Sequence, residues 1–196
     1  RSGVVFMVRT TIRLIRHELT QANIERRYIG WTDQSIIRQV SADIAFTPSV
    51  IYGSDLKRCE ETATCYFRDV PFIANVQLRE TNFGDFEMKT YDELKNNLLY
   101  RAWIDDPLSV APPNGESLQA FTARILTAFQ EVIKGKEEAT FIVHGGVIKA
   151  ILANYLNKAF HDVHAAHRTI YTFVLDGGET CISYSEAPIT VKDNMY

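Results

Sequence analysis

Three short apolar runs do most to limit what this chain can fold into. They are Thr11 to Arg16 (TIRLIR), Ser49 to Ser54 (SVIYGS) and Thr140 to His144 (TFIVH). Each is rich in strand formers and nearly continuous in its apolar character. That pattern marks strands buried on both faces, not strands with one wet side. Helix-like segments follow: Asp55 to Phe67, with an Asp near its start, and Val147 to Leu156 (VIKAILANYL), apolar on a helical period. Two more helical stretches are expected at Tyr91 to Ile104 and Ser117 to Ile133. In the second, Leu118, Phe121, Ile125, Leu126, Phe129 and Val132 share a face and Ser117 is the N-cap. A short helix is expected between Asp33 and Phe46. Thr169 to Leu175 and Thr180 to Tyr184 flank Asp176-Gly177-Gly178 and read as a hairpin. Strands alternating with helices predict an α/β fold, a three-layer α/β/α arrangement with a mostly parallel central sheet.

The 196 residues suit one domain spanning 1–196, and the 46% hydrophobic content supplies a core. The Pro-rich stretch Asp106 to Glu116 (DPLSVAPPNGE) reads as a surface loop within that domain. Met7 is a candidate start, with residues 1–6 an extension ahead of it. A formal charge of −3, from 21 basic and 24 acidic residues, argues against nucleic acid held by bulk electrostatics. No window approaches the apolar length of a membrane-spanning helix, so no membrane partner is expected. Cys59, Cys65 and Cys181 have no metal-type spacing. They read as free thiols in a reducing, cytoplasmic setting, with Cys59 and Cys65 as small buried hydrophobes.

In an open α/β sheet, ligands bind beyond the carboxyl ends of the strands. The first run ends in Arg16-His17, the second leads into Ser54-Asp55 with Arg58 one turn later, and the third ends in His144. Two imidazoles and two guanidiniums on one edge suit a phosphoryl group. Guanidinium forks match phosphate oxygens, and a neutral imidazole can attack phosphorus. An acid is still needed for the leaving oxygen, and Glu80, after the alternating Phe72 to Leu78, is the best-placed carboxylate. Any one of these residues alone would be an ordinary surface or strand-end side chain; the set carries the reading. His161, His164 and His167 (HDVHAAH) have a spacing that can place metal ligands on one helical face. With no carboxylate placed beside them, they read as surface or hinge histidines, and no metal is expected.

The pattern Arg16-His17-x-x-Thr20-x-x-Asn23, followed by Arg27-Tyr28-x-Gly30-Trp31-x-Asp33, resembles the signature of the histidine phosphatase superfamily, the phosphoglycerate-mutase-like enzymes. SDLKRCEETA (54–63), LRETNFGDFE (78–87), PPNGESL (112–118) and IVHGGVIKAIL (142–152) resemble further motifs in the family's order. The likeness runs from Thr11 to Leu175. It implies that His17 takes up the phosphoryl group and that Arg16, Arg58 and His144 complete the catalytic pocket. It implies Glu80 as general acid, then base. Asn23, Arg27, Thr20 and the backbone of Gly145 are implied to bind substrate. It implies no cofactor.

The short passage from Lys89 to Asp106 resembles the phosphatases more than the mutases, which carry a longer insertion there. NFGDFE and PPNGES look most like the α-ribazole phosphatases, enzymes of cobalamin nucleotide-loop assembly. The resemblance therefore implies a small phosphorylated substrate, α-ribazole 5′-phosphate first, with a broad-specificity phosphatase, a phosphoglycerate mutase or a catalytically weak phosphate-binding relative as the alternatives; the sequence leaves the oligomeric state open, a homodimer included. Three positions depart from the family pattern. Glu18 and Leu19 follow the Arg-His pair where Gly and often Glu are usual, and Met88 stands where Gly is common. An anion beside a phosphate pocket would repel its ligand by on the order of 3 kcal/mol at about 6 Å and an effective dielectric near 20. The Glu18 carboxylate is therefore expected to turn away from the phosphate.

Overall fold

The computed structural model describes residues 8–194. The expectation about Met7 and residues 1–6 falls outside them. The elements run β1 (Arg9–Arg16), α1 (Gln21–Ile24), β2 (Val40–Asp43), β3 (Ile51–Gly53), α2 (Lys57–Tyr66), β4 (Phe72–Ala74), α3 (Tyr91–Leu94), α4 (Leu98–Asp105), α5 (Leu118–Ile133), β5 (Glu138–Val143), α6 (Gly145–Tyr155), β6 (Thr169–Asp176), β7 (Thr180–Pro188) and β8 (Thr190–Asp193).

The central sheet has the order β4-β3-β5-β1-β6-β7. The pairs β4–β3, β3–β5 and β5–β1 are parallel, and β1–β6 and β6–β7 are antiparallel. The three apolar runs thus lie side by side in the middle of the sheet, which explains why they are apolar throughout. Period-two alternation divides their side chains between two cores. Ile12, Leu14, Tyr52, Phe141, Val143 and Phe173 meet α5 and α6 on one face. Ile15, Ile51, Ile142 and Ile170 meet α2 and the small β2–β8 sheet on the other. This is the expected mixed α/β architecture with a largely parallel centre.

Two expectations need correction. Tyr91 to Ile104 is not one helix. Asn97 breaks it, because its Oδ1 accepts from the Leu99 and Tyr100 amides and starts α4 as a new N-cap. The expected helix between Asp33 and Phe46 is absent; that stretch bends and then forms β2, paired with β8. The hairpin β6–β7 and the Ser117 cap, which accepts from the Ala120 amide, match the sequence reading. Cys59 is buried as expected, whereas Cys65 is half-buried. No helix among the described residues is long and apolar enough to cross a membrane.

Candidate active site

The parallel β1–β5 pair sets Arg16 against Val143, so the next residues, His17 and His144, emerge together from adjacent strands. Their ring centroids are 5.2 Å apart. Gly53 of β3 pairs with Ile142, which brings Ser54 to the same edge. Arg58 sits in the first turn of α2, immediately behind. The carboxyl ends of three neighbouring strands therefore supply the cluster, and only a crossover fold could join residues so distant in sequence.

His17 is 3% exposed. Its Nδ1 lies 2.7 Å from the Glu18 carbonyl oxygen. A carbonyl can only accept, so Nδ1 carries the proton and Nε2 keeps its lone pair. Burial, then the Arg58 and Arg16 charges, push this imidazole well below its ordinary value, against the opposing pull of the Glu18 carbonyl. His17 is thus a neutral imidazole of fixed tautomer at neutral pH, with Nε2 available as a nucleophile would need. His144 is buried and likewise held neutral, by burial first and Arg58 next. Its Nε2 shares a 2.7 Å hydrogen bond with the Ser54 hydroxyl.

The two arginines are pinned by backbone carbonyls. Arg58 donates to Gly30 O at 2.6 Å and Thr32 O at 2.8 Å, and Arg16 donates to Ala165 O at 2.7 Å. Carbonyls hold a guanidinium in place without cancelling its charge. What remains unpaired is informative. Among the described residues, Arg16 Nε, Arg58 Nε and His144 Nδ1 are buried with no partner. A buried donor left unmade costs about 1–3 kcal/mol. Three such atoms in the cluster with His17, the two guanidinium ones obligate donors, could receive an anion with several acceptor oxygens.

Glu80 lies across this site, 9% exposed. It accepts from the Gly146 amide at 2.8 Å and the Thr81 amide at 2.9 Å. A Cβ on Gly146 would fall 2.2 Å from Glu80 Oε1, so only glycine lets the carboxylate approach the start of α6. Gly145 serves the same end toward Arg16, whose Cζ would lie 3.0 Å from an added Cβ.

Arg124, which the sequence did not single out, and Trp31 and Glu87, which it gave only as motif positions, hold this frame. Arg124 of α5 donates to the Glu80 carbonyl at 3.2 Å and pairs with Glu116 at 2.5 Å. Trp31 Nε1 donates to the same Glu80 carbonyl at 3.0 Å. Glu87 accepts from the Gly30 amide at 3.1 Å, the Trp31 amide at 2.7 Å and the Thr32 hydroxyl at 2.9 Å, fixing the loop whose carbonyls hold Arg58.

Of the implied substrate-binding residues, Gly145 stands at this site beside Arg16, while Thr20, Asn23 and Arg27 lie to its side around α1. Thr20 is fully buried and spends its hydroxyl on the cap of α1, where Asn23 Oδ1 reciprocates at 3.0 Å to the Thr20 amide. Thr20, buried and engaged in that cap, differs in this from the exposed contact that the resemblance implied. Arg27 is engaged by Glu25 at 2.5 Å, by Glu93 at 3.1 Å and by the Met88 carbonyl at 2.9 Å. Asn23 and Arg27 line a hollow shared with Arg16, Leu19, Tyr28 and His167. A separate cleft of about 360 Å³ opens beside Arg16 and Glu80, walled by Tyr28, Phe83, Trp103, Leu118 and Phe160.

Glu18 is the departure whose place matters most. Its carboxylate does leave the phosphate side, but toward the interior and not into water. It is 3% exposed, bound by the Tyr66 hydroxyl and by Arg168. The histidine triplet also divides. No group of residues fit to hold a metal occurs among the described residues. His161 and His164 are exposed, as expected of surface histidines. His167 is not: its ring centroid lies 5.9 Å from that of His17.

Comparison with known proteins follows the same line. The family model described as histidine phosphatase superfamily (branch 1) matches residues 12–184. A relative from Salmonella typhimurium named adenosylcobalamin/alpha-ribazole phosphatase is 30% identical over 161 residues, 73% of this chain and 78% of that one. A Bartonella quintana 2,3-bisphosphoglycerate-dependent phosphoglycerate mutase is 28% identical over 169 residues, 72% of this chain and 79% of its own. The crystal structure of an alpha-ribazole phosphatase from Shigella flexneri superposes with a TM-score of 0.74 at 22% identity, covering 93% of this chain and 95% of its own; at that identity it speaks for the fold.

Proposed function

From the premise that the chain belongs to the histidine phosphatase superfamily and is a phosphatase, we propose that it hydrolyses a small phosphomonoester through a phosphohistidine at His17. The observation that carries this reading is the His17 tautomer. Nδ1–H is tied to the Glu18 carbonyl, which leaves the Nε2 lone pair free, in a cluster where Arg16 Nε, Arg58 Nε and His144 Nδ1 are buried without partners.

The reaction runs in two balanced steps. His17 Nε2 attacks phosphorus as the bond to the leaving oxygen breaks, and Glu80 delivers the proton that oxygen needs. Arg16, Arg58 and His144 meet the charge that builds on the equatorial oxygens. Glu80 then takes a proton from water, whose oxygen attacks phosphorus as the P–N bond breaks. Inorganic phosphate leaves and His17 is again neutral. The pinned arginines and buried imidazoles need little reorganisation for this, which is where fixed dipoles and charges gain over water.

The leaving group would occupy the aromatic cleft beside Glu80. Tyr28, Phe83 and Trp103 give that cleft an aromatic wall, and its volume of about 360 Å³ suits a nucleoside-sized group. Together with the Salmonella relative, this supports α-ribazole 5′-phosphate as the substrate. The free thiols support a cytoplasmic setting. Against a reading as a catalytically weak relative in which Glu18 repels the phosphate stands Arg168, which meets that charge at 3.0 Å.

The test is a panel of phosphomonoesters with a chelator present. Release of phosphate from an aryl phosphate and faster release from α-ribazole 5′-phosphate are expected. Isomerisation of 3-phosphoglycerate in place of hydrolysis would overturn the reading.

A further inference from the structure

His167 is a residue that neither the motifs nor the reaction above uses, yet the chain around it is fixed on every side. Ala165 O accepts from Arg16 at 2.7 Å. The Ala166 amide donates to the Tyr171 hydroxyl at 2.7 Å. Arg168 takes a left-handed backbone conformation, φ 55°, and forks onto Glu18. That conformation is costly for a residue with a side chain, so the surrounding bonds must hold it. Between these three anchors the His167 side chain turns toward His17, with the rings edge to face at 74°.

Its Nε2 is buried and has no partner. Among the described residues only five side-chain polar atoms share that condition. Three are the phosphate-facing atoms of Arg16, Arg58 and His144; the fourth, the Tyr155 hydroxyl, lies in the core against Phe129 and Phe173. The fifth belongs to His167, a residue that lines the hollow shared with Arg16 and Asn23. Burial, then Arg16, holds the imidazole down at about 4, with Glu18 opposing and Arg168 adding to the effect. The ring is therefore neutral at neutral pH, and a neutral imidazole can place its one N–H on Nε2 as a donor.

We infer that His167 is a further substrate-binding residue, donating from Nε2 to an oxygen of the phosphoryl group bound at His17. This rests on the function proposed above and adds a third imidazole to the phosphate site. It also gives the Glu18–Arg168 pair a purpose: the residue after the nucleophile anchors the residue after His167, so the two rings hold a fixed relation.

The test is equilibrium binding of inorganic phosphate by calorimetry to wild type, His167→Ala and His167→Gln. Glutamine places an amide donor near the position of Nε2. A hydrogen bond to a charged acceptor of this kind corresponds to about a tenfold to hundredfold loss of affinity in His167→Ala. His167→Gln is expected to stay within about threefold of wild type, since it keeps a donor to the anion. Equal affinity of wild type and His167→Ala, or equal weakening in both variants, overturns the inference. Should His167→Ala fail to fold, the imidazole nitrogen resonance of His167 in wild type decides. It must shift on phosphate addition, and a resonance that stays put overturns the inference. Failure of this inference alone leaves His17-dependent turnover intact, whereas loss of the proposed function shows as a wild type without phosphatase activity.

Discussion

Glu18 and Arg168 form a two-point ion pair, Arg168 Nε to Oε1 at 3.0 Å and Nη2 to Oε2 at 3.1 Å. One follows His17 just beyond β1 and the other stands at the entry to β6, the antiparallel neighbour of β1. The pair turns an apparent defect in the signature into a brace for the site. The carboxylate that threatened to repel phosphate is spent on structure.

Arg168→Leu leaves the Glu18 carboxylate, 3% exposed, with the Tyr66 hydroxyl as its remaining side-chain partner. Stranding a buried charge is expensive, and the partial exposure of Arg168 moderates it. A loss of about 2–4 kcal/mol is expected in urea unfolding. Glu18→Gln removes the charge as well and costs about 1 kcal/mol. Equal losses in the two variants would show that the charge pair is not what matters.

Burial alone would raise the Glu18 carboxyl, but the Arg168 and Tyr66 hydrogen bonds and the Arg168 charge hold it below its ordinary value of 4.5. A carboxyl depressed on folding stabilises the native state above its unfolded pKa and loses that stabilisation as pH falls through the folded one. The stability gap between wild type and Glu18→Gln therefore holds at neutral pH and narrows as pH drops below about 4.5. Unfolding free energies measured across that range check it; a gap that widened on acidification would refute the sign.

Met88 adopts φ 64°, a left-handed conformation where the family favours glycine. Its amide bonds the Tyr28 carbonyl at 2.7 Å, so the backbone is committed to that shape. Met88→Gly is expected to raise stability by about 1 kcal/mol, the steric cost outweighing the extra freedom of the unfolded chain. Thermal unfolding of the variant measures this.

Gly146→Ala places a methyl where Glu80 Oε1 now sits. Displacing the acid by about 1 Å is expected to cost on the order of a hundredfold in kcat. Phosphate affinity should change much less, because Arg58 and His144 are untouched. Steady-state kinetics and phosphate binding, measured on the same sample, separate the two effects.

Much of this arrangement could be read in the chain itself. The apolar runs that became β1, β3 and β5 are legible because both their faces are covered, so no polar residue interrupts them. The strand-end residues His17 and His144, and Arg58 in the turn of helix after β3, follow from that, since the parallel order brings strand ends together. β2 (VSAD) and β8 (TVKD) were not legible. They are short, largely exposed and defined by each other. Arg124 looked like any polar residue on a helix face, because its partners, the Glu80 carbonyl and Glu116, lie on loops that only the fold places nearby. His167 was hidden for a similar reason: its three-residue spacing from His164 suggested a helix, while its true neighbour is His17, reached through the β1–β6 pairing. Glu18 was visible as an oddity, and its partner 150 residues away was not.

The central claim is that the Nε2 lone pair of His17 takes up the phosphoryl group. Rapid quenching under alkaline conditions during turnover of an aryl phosphate tests it most directly. The account predicts a base-stable, acid-labile phosphoryl group on His17, and loss of both the adduct and turnover in His17→Ala. Undiminished turnover in that variant, or a phosphoryl group on another residue, would contradict it.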